Sequence, residues 1–481
     1  MELNLAPIIP SENYFDGGDN LQRVLRPKMI GISSLRMGPF YTVASVELGN
    51  TTTKAILVTT NLETAEIYEI EKEVQMTRDV RSPHPSETIF GETVFGVPLT
   101  EESVAEMVSG ILSTVLRRSK VDIEKDLHFV VRSTGVSAGF ASPEEVGAIV
   151  KALAEGCLRA GIPPRKMTAS MTPDNLPPSL RDFTWLKKVY FDGAIASSLP
   201  PSNTEIVANE MEGELVTAGL KGAVKGTDID FRNPVMTLDF GTTLAGRITD
   251  RGFPYAKTIG SFAGFGGAIP DAIIRGSGLV PSGIGCVLDI ARSSKSRNIE
   301  VDSHWENRSQ KLINVERVPI DATRFGTVPV NPSAAEESEV ILIGVDADLD
   351  KLENLGSEIF ADTDENYLLA LIDRVQAGIV QRIITIAETH NLILEETSLG
   401  LTGRAITTGK KPNIIATELK LNSGDLWTDS HQLIFVEDGL AMGAAVAARC
   451  MNSMGTTRCP MGGRKGDRCI MAERMKLQSK K

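Results

Sequence analysis

Two stretches of this chain set an acidic residue, a glycine and a run of hydroxyls in the same order. The first runs from Val43 through Glu47, Gly49, Thr51, Thr52 and Thr53 to Lys54; the second runs from Val235 through Asp239, Gly241, Thr242 and Thr243 to Ile248. In each, a β-branched run ends in the carboxylate, and the chain turns apolar again after the hydroxyls. A strand–turn–strand unit with this composition suits phosphate. The glycine would let the backbone turn with φ above zero, and the N–H groups after it would converge on an anion. The threonines add donors, and Glu47 and Asp239 would hold a hard divalent cation through its waters. Lys54 is either a phosphate contact or a solvated strand-end lysine.

The elements needed to position these groups are visible in the pattern. Three strand-like runs follow one another between Tyr41 and Val74, the last alternating with period two. Thr100 opens a helix whose apolar face is Val104, Met107, Val108, Ile111, Leu112, Val115 and Leu116, with Arg117 and Arg118 at the end that favours cations. A buried strand stops at Ser133-Thr134-Gly135, and Ser142-Pro143 announces the next helix. A further helix is expected at about 203–221. After the second hairpin come a Gly-rich loop (Gly264, Gly266, Gly267), a polar, irregular stretch at 293–337 read as an insertion, a strand at 340–345 and a long helix at about 366–390. Near the end, a strand enters a turn at Gly403-Arg404, and residues 435–449 form a helix of small side chains that would let helices approach closely. Asp271 reads best as a helix-start residue, and Arg404 as either a base-stacking or a turn-capping side chain.

At 481 residues the chain needs two or three lobes. A hydrophobic share of 42% beside 23% charged residues describes a globular protein, and the net charge of −12 argues against a nucleic-acid binder. No stretch reads as a membrane span or a signal peptide, and scattered cysteines favour a reducing cytoplasm. The tail from 451 onward is basic and holds Cys459 and Cys469 after Cys450, at spacings unlike a short metal-binding pair. Metal binding, partner docking and a solvated tail all remain open for it.

The order of motifs resembles the actin-like ATPase superfamily, which joins sugar kinases, acetate kinase, heat-shock chaperones and actin. Within it, the chain is similar to the reactivating factors of ethanolamine ammonia-lyase and diol dehydratase. As a whole it resembles the methanogenesis marker protein 14 family of methanogenic archaea. The resemblance implies a two-lobed α/β fold, ribonuclease H-like in each lobe, with an inter-lobe nucleotide cleft. It divides the chain into an extension (1–40), a first lobe (41–230), a second lobe (231–435), a closing helix (436–450) and the tail (451–481). It implies ATP or ADP with Mg²⁺ as cofactors. Gly49, Thr51, Thr52, Thr53, Lys54, Gly241, Thr242 and Thr243 would lie at the phosphates, Gly403 and Arg404 at the adenosine, and Glu47 and Asp239 at the metal. The segments ending at Gly135 and beginning at Gly439 fall on the connections between lobes.

Glu47 stands where most members carry Asp, and Val136 stands where reactivase-like relatives continue with a carboxylate. No carboxylate or histidine presents itself as a general base. The function so implied is an ATP-binding, ATP-hydrolysing accessory protein that reactivates or assembles a partner enzyme of methanogenesis, with a corrinoid- or nickel-dependent enzyme as the suggested client. The alternatives are a small-molecule phosphotransferase with its base in 293–337, and a nucleotide-sensing scaffold that does not hydrolyse.

Overall fold

The computed structural model describes residues 24–167, 194–196, 210–252, 256–290 and 299–454. The expectations for residues 1–23, for Cys459 and Cys469 and for the side chain of Cys450 fall outside these residues. The hairpin at Glu47 is made by strands Phe40–Leu48 and Thr52–Asn61, which pair antiparallel with Glu47 opposite Lys54. Ile67–Met76 adds a third antiparallel strand, and Phe129–Thr134 and Ala194–Ala196 lie parallel on the far side of Phe40–Leu48. The short strand Lys28–Met29 closes this six-stranded sheet at its other edge.

The second sheet repeats the plan. Val235–Phe240, Leu244–Thr249 and Thr258–Gly264 form the antiparallel meander, and Ser398–Thr402 and Leu433–Val436 continue in parallel from Val235–Phe240. It is extended to eight strands by Val24–Leu25 at one edge and by Ile341–Ala347 and Ile313–Arg317 at the other. A five-strand unit in the spatial order third, second, first, fourth, fifth thus occurs twice. In both copies the carboxylate hairpin supplies the first two strands. This is the duplicated ribonuclease H-like topology of the actin-like class.

Local chemistry explains the elements that frame the sheets. Thr100 caps helix Glu101–Ser119 by accepting from Ser103 N, and all seven expected apolar residues of that helix are buried. Ser142 caps Pro143–Arg159 in the same manner. Each sheet has its own core on its outer face, and a third core lies between the sheets. Helices Glu210–Ala223 and Gly439–Met454 cross there, packed between Val43, Val58 and Val131 of one sheet and Val235 and Val436 of the other. The crossing is faced with glycine: a Cβ on Gly219 would collide with the Gly439 carbonyl, and one on Gly443 with the Leu215 carbonyl.

Several expectations need correction. Residues 303–337 are not irregular: they form helices Ser303–Lys311 and Pro332–Glu337 and a strand that pairs with Ile341–Ala347, because Ile313 and Val315 alternate inward against the core. Phe435 belongs to a strand, and the closing helix begins only at Gly439. The chain does not leave the first lobe at Gly135. Gly135 N bonds back to Leu48 O, Val136 is buried in the first-lobe core, and helix Pro143–Arg159 packs there too. Gly49 and Gly241 have no positive φ. Gly49 is required instead by close approach, since a Cβ would stand 2.7 Å from Thr52 O.

Candidate functional site

The parallel strands of both sheets point their C-terminal ends at the seam between the lobes, where ligands of open α/β sheets gather. The two hairpin turns meet there: Thr51 Oγ1 lies 2.9 Å from Thr242 Oγ1. Below them is a buried cluster of charge. Lys54 Nζ sits 2.9 Å from Glu47 Oε2, a close ion pair without good hydrogen-bond angles, and 3.7 Å from Asp438. Lys72 Nζ holds Asp438 at 2.8 Å and Glu437 at 3.1 Å. Asp438 adopts a left-handed φ of 55°, an unusual backbone for a non-glycine residue, and places its carboxylate between the two lysines.

Burial pushes the Asp239 carboxyl up to about 7, with Lys54 pulling the other way. Glu212, in the first turn of helix Glu210–Ala223, is raised well above the carboxylate range by burial and by the charges of Asp239 and Glu47. Asp438 goes in the opposite direction: burial would raise it, but Lys72 and Lys54 overcome burial and hold it low. Burial likewise opposes the Lys54 ammonium, and Glu47 and Asp438 outweigh it, so its pKa is raised.

Most of the residues expected at the site come together here. Gly403, with φ of 91°, packs so tightly against Asp239 and the Phe240 carbonyl that no side chain fits. Arg404 lies within electrostatic reach of Lys54 and Asp438, and its Nη1 is buried without a hydrogen-bond partner. Thr52 opens its strand beside Thr51, and Gly241 is exposed at the second turn. Two residues are not at the seam as expected. Thr53 is buried and bonded at 2.9 Å to Thr77 Oγ1, which in turn donates to Gly49 O, so it braces the turn from behind. Thr243 is buried and bridged to Phe265. The amides of Gly266, Gly267 and Ala268 donate to the carbonyls of Gly241 and Thr242, so the Gly-rich loop supports the second turn instead of offering free donors. Asp271 accepts from Val287 N and is buried, pushed up to about 7.

Glu212, Asp438 and Lys72 were not found from the sequence. An acidic residue early in a helix reads as an ordinary dipole partner; the glycines at 213 and 219 are the local signal of close packing that would have drawn attention to this helix. The residues present suit a magnesium nucleotide. Glu212 Oε2 is a buried acceptor and Arg404 Nη1 a buried donor, neither with a hydrogen-bond partner. Asp239 and Glu212 form a buried acidic pair on which Lys54 is the acting counter-charge. Among the described residues, no three His, Cys, Asp or Glu side chains are placed to ligate a metal directly. Glu47 is ion-paired with Lys54, so Asp239 and Glu212 are the carboxylates that would face a hydrated cation. A separate groove of about 600 Å³, lined by Asp230, Arg251, Glu396 and His431 among others, lies at the opposite end of the second sheet and takes no part in this chemistry.

Two copies of one sheet unit, with facing hairpin turns over a buried carboxylate–lysine cluster, define a two-lobed fold of the actin-like class. Within that class, the chain belongs to the family described as an uncharacterized protein conserved in archaea (DUF2114), whose profile matches residues 40–478. It is 48% identical over 462 residues to an uncharacterized protein of Methanocaldococcus jannaschii, covering 95% of each chain. It is 50% identical to an uncharacterized protein of Methanothermobacter thermautotrophicus, covering 99% of this chain and 90% of that one. Among solved structures it is similar to a reductive activator for a corrinoid, iron–sulfur protein (TM-score 0.37, 12% identity, 92% of this chain and 63% of that one). It is also similar to an inorganic polyphosphate/ATP-glucomannokinase from an Arthrobacter strain (TM-score 0.31, 12% identity, 85% of this chain and 98% of that one). The chain thus spans less than two thirds of the reductive activator's length. The fold assignment rests on strand order, not on these low-scoring likenesses. No described helix is long and apolar enough to cross a membrane.

Proposed function

We propose that this protein binds Mg-ATP or Mg-ADP at the seam between its lobes, hydrolyses ATP slowly, and uses lobe closure to act on a partner enzyme of methanogenesis. The observation that carries the reading is the meeting of the two hairpin turns at Thr51 and Thr242 above Asp239, Glu212 and Lys54. Phosphate oxygens between the turns would be met by Thr51, Thr52, Thr242 and nearby amides, with Lys54 and Arg404 supplying positive charge. Asp239 and Glu212 would hold Mg²⁺ through its waters; the ion supplies charge neutralisation at the phosphates. Burial raises both carboxyls, so each is a stronger base once ionised; the Mg²⁺ they would hold favours the ionised form, in which Glu212 would take a proton from an attacking water. This candidate base lies on helix Glu210–Ala223 and not in 293–337, where the phosphotransferase alternative would need one.

A γ-phosphate touching both turns would bias the lobes toward closure, and its loss would release them. The setting is supported by the two relatives from methanogens and by the resemblance to methanogenesis marker protein 14. A corrinoid- or nickel-dependent enzyme remains the suggested client. The test is thermal unfolding of wild type, Asp239→Ala and Thr242→Val with Mg-ATP and with Mg-ADP. At about a hundredfold excess over Kd, wild type gains about 2.7 kcal/mol, and both variants lose most of that gain. No shift in wild type sinks the reading. Capture of a methanogenic enzyme from native extract, released by ATP and not by ADP, tests the client.

A further inference from the structure

The residues before the first hairpin join both sheets within one short span. Val24–Leu25 pairs in parallel with Phe435 and Val436 at the edge of the second-lobe sheet, and Glu437 N donates to Leu25 O at 2.9 Å. Three residues on, Lys28–Met29 pairs in parallel with Tyr68 and Glu69 at the edge of the first-lobe sheet, and Ile30 N donates to Glu69 O at 2.9 Å. Only Arg26 and Pro27 lie between. Arg26 is ion-paired with Glu437 at 2.6 Å, and Lys28 with Glu66 at 3.3 Å.

We propose that residues 24–29 are a strap that limits how far the two lobes can open. The physical basis is length and stiffness. Three Cα–Cα steps between Leu25 and Lys28 span at most about 11 Å. Pro27 fixes its own φ and confines Arg26 to extended backbone, so the link has little slack. Any rotation that carries the two sheet edges further apart must strip Val24–Leu25 from the second sheet or Lys28–Met29 from the first. The strap is anchored next to the charged cluster: Glu437, held by Arg26 and Leu25, also binds Lys72, which holds Asp438, which faces Lys54. Opening strain on the strap is therefore delivered to the residues that hold the floor of the seam.

The inference goes beyond nucleotide binding, and its test needs no nucleotide. Spin labels carried on noncanonical residues replacing the exposed Glu63 of the first lobe and Asp350 of the second would report the inter-lobe distance distribution by pulsed electron resonance. The central variant inserts six Gly/Ser residues between Arg26 and Pro27, which keeps both strand pairings and adds up to ~20 Å of reach. The expected result is a broader distribution, moved outward by several ångströms. A distribution superimposable on wild type overturns the proposal. Leu25→Pro, which weakens one anchor, should give the same outward shift, and combining it with the insertion should add nothing, because the two lesions lie in series. A shift in the combined protein that equals the sum of the two overturns the series arrangement and with it the strap. Circular dichroism of each variant establishes that the sheets have folded.

Discussion

Replacing Asp239 by Asn should make the protein more stable in mild alkali and leave it no better off in mild acid. Burial raises the Asp239 carboxyl to about 7 from an unfolded value of 3.8. Between those two values the folded chain holds a proton that the unfolded chain has released. Stability contributed by this group is therefore present below the unfolded value and is lost as pH rises toward the folded one. The asparagine variant has no such linkage. At 1.36 kcal/mol per pKa unit, the stability difference between variant and wild type should move by about 2 kcal/mol in the variant's favour from about pH 5.5 to about pH 8. Asp271 is also pushed up to about 7, but it is present in both proteins and cancels in the difference. Urea unfolding at several pH values, followed by circular dichroism without nucleotide or divalent ion, measures the curves. Parallel pH profiles for the two proteins would refute the claim that Asp239 is held protonated by burial.

Three other outcomes follow from the geometry. Lys54→Met leaves Glu47 and Asp438 facing each other with less counter-charge, and should cost about 3–5 kcal/mol in urea unfolding; Glu47→Gln in the same chain should restore a good part of it, which a double-mutant cycle measures. Gly443→Ala drives a methyl into the Leu215 carbonyl, so the two central helices must separate; a fall of several degrees in Tm is expected, against nearly none for an alanine at the unobstructed Gly147. Arg78 reaches from the first lobe to Asp289, at 2.8 Å, and to Ile284 O, at 3.1 Å, in the second. Arg78→Ala should raise hydrogen exchange across 284–290 by about tenfold, as loss of ~1.5 kcal/mol gives. Burial works against the Asp289 carboxylate, but Arg78 outweighs it and holds its pKa below the usual value. The contact is therefore present above that range and weakens only as pH falls, so wild type should approach the variant's exchange rate in acid and not in base.

What could be read from the sequence was whatever local order dictates. The two hairpins were legible because a β-branched run, a carboxylate, a glycine and hydroxyls fall within a dozen neighbouring residues, and the two-lobed plan was implied by the family their order resembles. Helix Glu101–Ser119 was legible because its face and its cap are both local. The charged floor of the seam was not. Glu212, Lys72 and Asp438 are far apart in the chain, and each alone resembles a solvated side chain; only the packing of three separate elements makes them neighbours. Thr53 was misjudged for a related reason. Alternation along the strand turns it away from Thr52, and its partner Thr77 lies beyond the next strand. The strand at Ile313–Arg317 was hidden because only two of its residues are fully buried, too few to stand out from polar surroundings.

The glycine-faced crossing of Glu210–Ala223 and Gly439–Met454 also bears on motion. Where helices interlock through side chains, each turn of one against the other must lift knobs out of holes, and the contact moves in steps. Here backbone lies directly on backbone at Gly219 and Gly443, with alanines at 441, 444, 445 and 448 beside them. Such a surface is nearly smooth on the scale of a methyl group. The two helices can pivot by small angles without repacking, so the molecule carries a bearing at its centre, and a single added methyl there would act as a brake.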